Sequence, residues 1–329
     1  FSYKSGILLG LALYAIGAVL FYPAALEGSY SYFLISLFVI TCGLGFLETT
    51  SNPLILSMGD PATATQRLNL AQSFNPIGSL TGMMIAKFVV LDRILSADYE
   101  DSSEIAALGV KKAAEIKSHD LDIISTPYIA VGIFVALVFV IIWKTNIPKM
   151  SMGEHLSINE SLKRIFKSKT YLSGVIAQMF YVGAQIMCWT FIIHYGTEVF
   201  MKLGMTEQAA EAKSQMFNIY AMVIFCLSRF ICTFLLKYIN PGKLLMVLAA
   251  GGMAFTLATI FLDGILGMYA LVGISACMSL MFPTIYGIAL TGTGDDAKLG
   301  AAGLIMAIVG GTFLPMAQAS IIDMNVVFD

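Results

Sequence analysis

Long, nearly unbroken apolar runs recur along this chain, each about as long as one bilayer crossing requires, which is ~20 residues of helix. The runs lack the alternation of apolar and polar residues that marks a barrel strand. Nine helices are predicted, over residues 5–26, 32–58, 67–91, 127–144, 171–200, 214–239, 243–263, 265–291 and 299–322. Only helices and closed barrels satisfy their backbone groups within hydrocarbon. The pattern therefore predicts an all-α, multi-pass membrane protein with the lipid bilayer as its solvent.

Two connections between these helices are long, and their charges differ. The stretch 92–126 holds four basic residues and eight acidic ones, whereas 144–170 holds six basic residues against Glu154 and Glu160. Basic loops stay in the cytoplasm, so 144–170 is assigned there. Alternating sides from that loop puts Lys4, Arg67, Lys237, Lys243 and Lys298 inside too. The balance becomes eleven basic residues inside and six outside, with Lys87 and Arg229 left within helices. In the same loop Ile158, Leu162, Ile165 and Phe166 recur at i, i+4, i+7 and i+8 among lysines and Arg164. That spacing predicts an amphipathic helix at the inner surface, the alternative being a solvated linker.

Composition narrows the function. The 329 residues are 58% hydrophobic and only 12% charged, about half the charged share of soluble domains, and mean hydropathy is +0.82. A formal charge of -2 argues against nucleic acid, which requires concentrated Lys and Arg. Cys42, Cys188, Cys226, Cys232 and Cys277 lie in apolar segments without metal-ligand or redox spacing, and read as small core residues. No phosphate-binding loop, zinc-protease signature or nucleophile elbow is present. An enzyme is not expected, nor is a cofactor or a metal site. The chain starts at Phe1 and is read as part of a longer protein.

Polar groups inside the predicted helices carry the candidate chemistry, because an ionisable residue at mid-bilayer is costly, about 2.5–3.5 kcal/mol on insertion scales. Glu48 lies deep in the second helix, with Asn52 one turn later on the same face and Pro53 at a possible bend. Low-dielectric surroundings disfavour a charged carboxyl, which suits a group that takes up and releases a proton. The other reading is a protonated Glu in a fixed hydrogen bond between helices. Asn69, Gln72 and Asn75 share one face of the third helix, next to Pro76, and either glue helices together or line a wet cavity. In the fifth helix Gln178, Tyr181, Gln185 and Trp189 recur at i, i+3, i+7 and i+11. Their rings and amides suit the apolar face and the hydroxyls of a sugar, or else make ordinary helix contacts. Arg229 is read as structural, either snorkelling to the surface or pairing with a carbonyl.

The motifs then carry a resemblance. Gly-Phe-Leu-Glu-Thr-Thr-Ser-Asn-Pro at 45–53, followed by Arg-Leu-Asn-Leu-Ala-Gln-Ser-Phe-Asn at 67–75, resembles the bacterial fucose permease family, sugar:proton symporters of the major facilitator superfamily. So do the seventh-helix block at 177–189, Ser-Arg-Phe at 228–230, Phe-Pro-Thr-Ile-Tyr at 282–286 and the block around Leu299–Pro315. Four helices before the basic loop and five after it resemble two bundles of a twelve-helix fold, with nine of the twelve present. The resemblance implies a bundle of third to sixth helices at 1–144, a central loop at 145–170 and a bundle of seventh to eleventh helices at 171–329. It implies that two helices precede Phe1 and one follows Asp329, and that an acidic partner of Glu48 lies in the earlier part.

By residue, the resemblance assigns Glu48 to proton coupling. Asn52, Gln72, Asn75, Tyr181, Gln185, Trp189 and Phe282 are assigned to the sugar. The family often has Ala-Ala-Asn-Pro where this chain has Thr50-Ser51-Asn52-Pro53, and Tyr-Pro where it has Phe282-Pro283. The expected function is import of a monosaccharide with a proton, by alternating access, across a bacterial inner membrane. The sugar would be fucose-like, or glucose or galactose. A passive sugar facilitator and a non-transporting membrane sugar sensor are the alternatives.

Overall fold

The structure is a computed structural model that describes residues 2–99, 102–147 and 158–324. Among these residues nine helices are long and apolar enough to cross a membrane. They are α1 (Tyr3–Glu27), α2 (Tyr30–Ser57), α3 (Pro61–Arg93), α4 (Val110–Lys144), α6 (Lys169–Lys202), α7 (Glu207–Leu235), α8 (Pro241–Phe261), α9 (Ile265–Leu290) and α10 (Ala297–Asp323). The short α5 (Ile158–Lys167) precedes α6. Every predicted crossing is present. Large apolar side chains cover the outer faces, among them Phe38, Phe134, Ile141, Phe234 and Phe261. In water that surface would be unstable. In lipid it needs no cover.

One boundary differs widely from the sequence reading. Helix α4 starts at Val110, not 127. Its first turns carry Lys111, Lys112, Glu115 and Lys117, so no apolar run announces them. They are held by specific contacts. The Asp120 carboxylate accepts from the backbone N–H groups of Leu95 and Ser96, at 2.8 and 3.0 Å, which caps the turn that follows α3. The Lys117 ammonium donates to the carbonyl of Gly28 at 3.3 Å, beside the carbonyl-rich end of α1, where a positive charge is favourable.

The chain divides into two compact units: Phe1–Leu54 with Ser79–Ser151, and Ile55–Gly78 with Met152–Asp329. In the first unit α1 and α2 cross on small residues. A Cβ on Gly10 would stand 2.9 Å from the carbonyl oxygen of Gly43, and one on Gly43 would stand 2.6 Å from the Tyr14 nitrogen. Only residues without a side chain allow backbones that close. Around this crossing pack Ile7, Leu11 and Leu54, and farther along Ala18, Phe21 and Ile40.

The second unit buries a larger core. Leu68, Tyr171, Tyr286, Ala289, Leu290, Ala301 and Leu304 form one cluster, joined by Ile165 of α5. The amphipathic reading of α5 thus gains a contact: Ile165 is buried and Phe166 exposed. Arg164 of α5 grips Asp296, in the turn before α10, with two parallel bonds of 2.8 and 2.9 Å. That fork, with help from Ser161, holds the Asp296 carboxyl below the usual carboxylate range against the opposing effect of its burial. Lys149 and Glu154 of the same loop lie outside the described residues.

Candidate functional site

In the first unit, Glu48 sits half-buried on α2, nine residues before the end of that helix. Its Oε2 accepts from Nδ2 of Asn52 at 2.5 Å. The i, i+4 spacing on a helix brings such pairs together, as the sequence reading expected. The bond lies within one helix. Asn52 is buried, 3% exposed, and Pro53 follows it, removing the ladder bond to the carbonyl of Thr49. Thr49 and Thr50 turn their hydroxyls back onto carbonyls of the preceding turn.

In the second unit the polar stripe of α3 sits at a break. The helix is α-helical over Ala64–Gln72, turns at Ser73, and resumes at Phe74. Ser73 is fully buried, and its hydroxyl donates to the Asn69 carbonyl at 2.8 Å. Gln72 is buried and its Oε1 accepts from Nδ2 of Asn75 at 2.5 Å, while Asn75 itself is exposed. Asn69 is wholly buried and its Nδ2 donates to Oγ1 of Thr284 on α9, at 3.2 Å. Of the two jobs foreseen for the stripe, one is seen. Asn69 glues helices, and the Gln72–Asn75 pair presents amide groups at the break.

Helix α9 is broken as well, between Met278 and Met281. Tyr181 of α6 lies against that break, its hydroxyl donating to the carbonyl of Met278 at 2.9 Å and engaging the backbone of Phe282. A hydroxyl is thus inserted where the α9 ladder would run from Phe282 to Met278. Tyr181 and half-buried Trp189 and Phe282 pack in one cluster with Phe225 of α7. The Trp189 ring meets Phe225 edge-on at 4.8 Å, and its N–H donates to Ser275 at 3.3 Å. Gln185 is half-buried on α6 between Tyr181 and Trp189. One turn before Tyr181, Gln178 is fully buried, and among the described residues no protein group bonds either amide atom. Such a group calls for a bound water or another hydroxyl.

Arg229 links these parts. It is 4% exposed on α7, its guanidinium carbon 4.6 Å from the centre of the Phe225 ring. Its Nε donates to the carbonyl of Ser279 at 2.5 Å, and Nη1 to that of Gln72 at 2.9 Å. Of the two fates the sequence left open, the carbonyl pairing is the one taken. Thr233 and Thr284, which contact Ser73 and Asn69, carried no signal in the sequence. A lone threonine in a crossing helix looks like any small residue.

The sequence profile of the Major Facilitator Superfamily matches residues 1–320. An L-fucose-proton symporter of Haemophilus influenzae is 51% identical over 98% of this chain and 74% of its own length. The L-fucose-proton symporter of Escherichia coli is 35% identical, over 98% of this chain and 73% of its own. Among solved structures, a single-substitution variant of the E. coli fucose:proton symporter FucP superposes with a TM-score of 0.87 at 32% identity, covering 98% of this chain and 78% of that one. Its crossing helices, its motifs and these matches make this chain a member of the Major Facilitator Superfamily, and within it of the fucose permease family.

Proposed function

We propose that this chain imports a monosaccharide together with a proton, by alternating access of two bundles about a site near mid-membrane. The observation that carries the reading is the Glu48–Asn52 pair in a chain half identical to an L-fucose-proton symporter. A carboxyl within a crossing helix, bonded to an amide one turn away, can gain or lose a proton and so change what it bonds. Protonation then changes the relative free energies of the outward and inward states, and that difference is the coupling.

Asn52, Gln72, Asn75, Tyr181, Gln185, Trp189 and Phe282 are the proposed sugar contacts. Amides offer both donors and an acceptor to hydroxyls, and aromatic faces suit the C–H face of a pyranose. L-fucose is the first sugar to test, with D-galactose and D-glucose beside it. We take residues 1–144 and 171–329 as the two bundles, 145–170 as the cytoplasmic loop, and the bacterial inner membrane as the location.

The test uses the full-length protein reconstituted in vesicles. Addition of the sugar to a weakly buffered external medium should make it more alkaline, whereas a passive facilitator leaves its pH unchanged and a sensor gives no flux. Glu48→Gln should abolish uphill accumulation and leave sugar exchange intact. Accumulation persisting at the wild-type level would remove Glu48 from coupling.

A further inference from the structure

The breaks in α3 and α9 have the same cause and the same remedy. In an unbroken α-helix the N–H of residue i donates to the carbonyl of residue i−4, and proline has no N–H to give. Pro76 therefore deprives the Gln72 carbonyl of its ladder partner, and Pro283 deprives that of Ser279. Those are the two carbonyls that Arg229 takes, one with Nη1 and the other with Nε. In a membrane interior a carbonyl without a donor is costly. One guanidinium, with five N–H donors in a rigid plane, serves both.

The residues flanking these prolines are the proposed sugar contacts. Gln72 and Asn75 precede Pro76, and Phe282 precedes Pro283. Fixing the two carbonyls fixes the backbone from which these side chains project, on two different helices at once. The remaining contacts of Arg229 lead to the same place. It lies over Phe225, which packs against Trp189, and Tyr181 holds the neighbouring carbonyl of Met278.

We propose that Arg229 is a positioning residue for the sugar site: by bonding the carbonyls that Pro76 and Pro283 release, it holds Gln72, Asn75 and Phe282 in register for as long as α3, α7 and α9 are in contact. The inference rests on the transport reading above for the identity of the ligand. A lysine is a poor substitute, because its point-like ammonium lacks the planar fork.

The test is a cycle of four proteins: wild type, Arg229→Met, the pair Pro76→Ala with Pro283→Ala, and all three substitutions together. Alanine returns the missing N–H groups to both helices, so the arginine loses its task. L-fucose, D-galactose and D-glucose exchange are measured in vesicles per folded protein, with the unfolding midpoint in detergent alongside. In the native background Arg229→Met should raise the KM for exchange at least tenfold, with the maximal rate within about threefold. In the alanine background the same change should raise KM less than threefold and cost correspondingly little in midpoint.

An equal effect of Arg229→Met in both backgrounds would overturn the proposal, since the charge would then act by some other route. A KM unchanged in folded protein, with only the midpoint falling, would also overturn it, leaving a purely stabilising residue. Should the alanine pair itself stop exchange, the cycle is read in the midpoints and in equilibrium sugar binding, where the same inequality decides. A wild type that exchanges none of the three sugars counts against the transport reading, and the midpoint cycle still decides whether Arg229 serves the proline-freed carbonyls.

Discussion

Glu48 in the first unit and Arg229 in the second are both ionisable groups placed within crossing helices, and their surroundings differ in kind. Glu48 bonds Asn52 one turn away on the same helix, a contact that exists as soon as the helix does. Arg229 bonds backbone carbonyls on two other helices, α3 and α9, and stacks on Phe225 of its own. A carboxyl can take up or give up a proton, and its bonds change with it. A guanidinium never loses its proton under ordinary conditions, and its bonds break only if helices part. On the transport reading the acid switches with its proton, while the arginine holds α3 and α9 until those helices part from α7.

The strongest way to break this contrast is Arg229→Met. It takes a charged donor away from each of two buried carbonyls, at about 1–3 kcal/mol each, so the unfolding midpoint in detergent should fall sharply. Glu48→Gln should abolish uphill accumulation and yet shift the midpoint hardly at all, because Gln keeps an oxygen that accepts from Asn52. If Glu48→Gln unfolds the protein as readily as Arg229→Met, the contrast fails.

A smaller effect sharpens the comparison from the packing side. Gly43→Ala thrusts a methyl against the Tyr14 backbone, at a distance no side-chain carbon tolerates. Overpacking of that kind costs typically about 1–3 kcal/mol, and unfolding of purified protein should report it. The smallest effect is expected at the surface, where Asp296→Asn removes the fork to Arg164. Half-exposed ion pairs are worth roughly 0.2–1 kcal/mol. Because the folded protein holds the Asp296 carboxyl low, this stability is present above the ordinary Asp pKa of ~3.9. It is lost as pH falls through the lower folded value. The difference between wild type and Asp296→Asn should therefore vanish in strong acid.

How much of this was legible beforehand follows from range along the chain. The nine crossings were read from apolar runs because a bilayer crossing is a local, compositional requirement. The Glu48–Asn52 and Gln72–Asn75 bonds were readable as helical neighbours. The start of α4 was not, because residues 110–126 owe their helix to contacts with Leu95, Ser96 and Gly28 and not to hydropathy. The partners of Arg229 were only half visible. Proline positions name the freed carbonyls, Gln72 and Ser279, by simple subtraction of four. Which donor reaches them depends on how α3, α7 and α9 meet. Tyr181 against the α9 break and Asn69 against Thr284 belong to the same class of contact, between residues 97 and 215 positions apart.

The placement of Trp189 has an optical consequence. The chain has two tryptophans, Trp143 and Trp189, and Trp143 is 62% exposed on α4. With Trp143 changed to Phe, all remaining indole emission comes from a ring set edge-on against the aromatic that carries the Arg229 cation. Such a variant turns this part of the second unit into its own fluorophore, so that the proposed arrival of sugar at the broken helices can be tested by light without any attached dye.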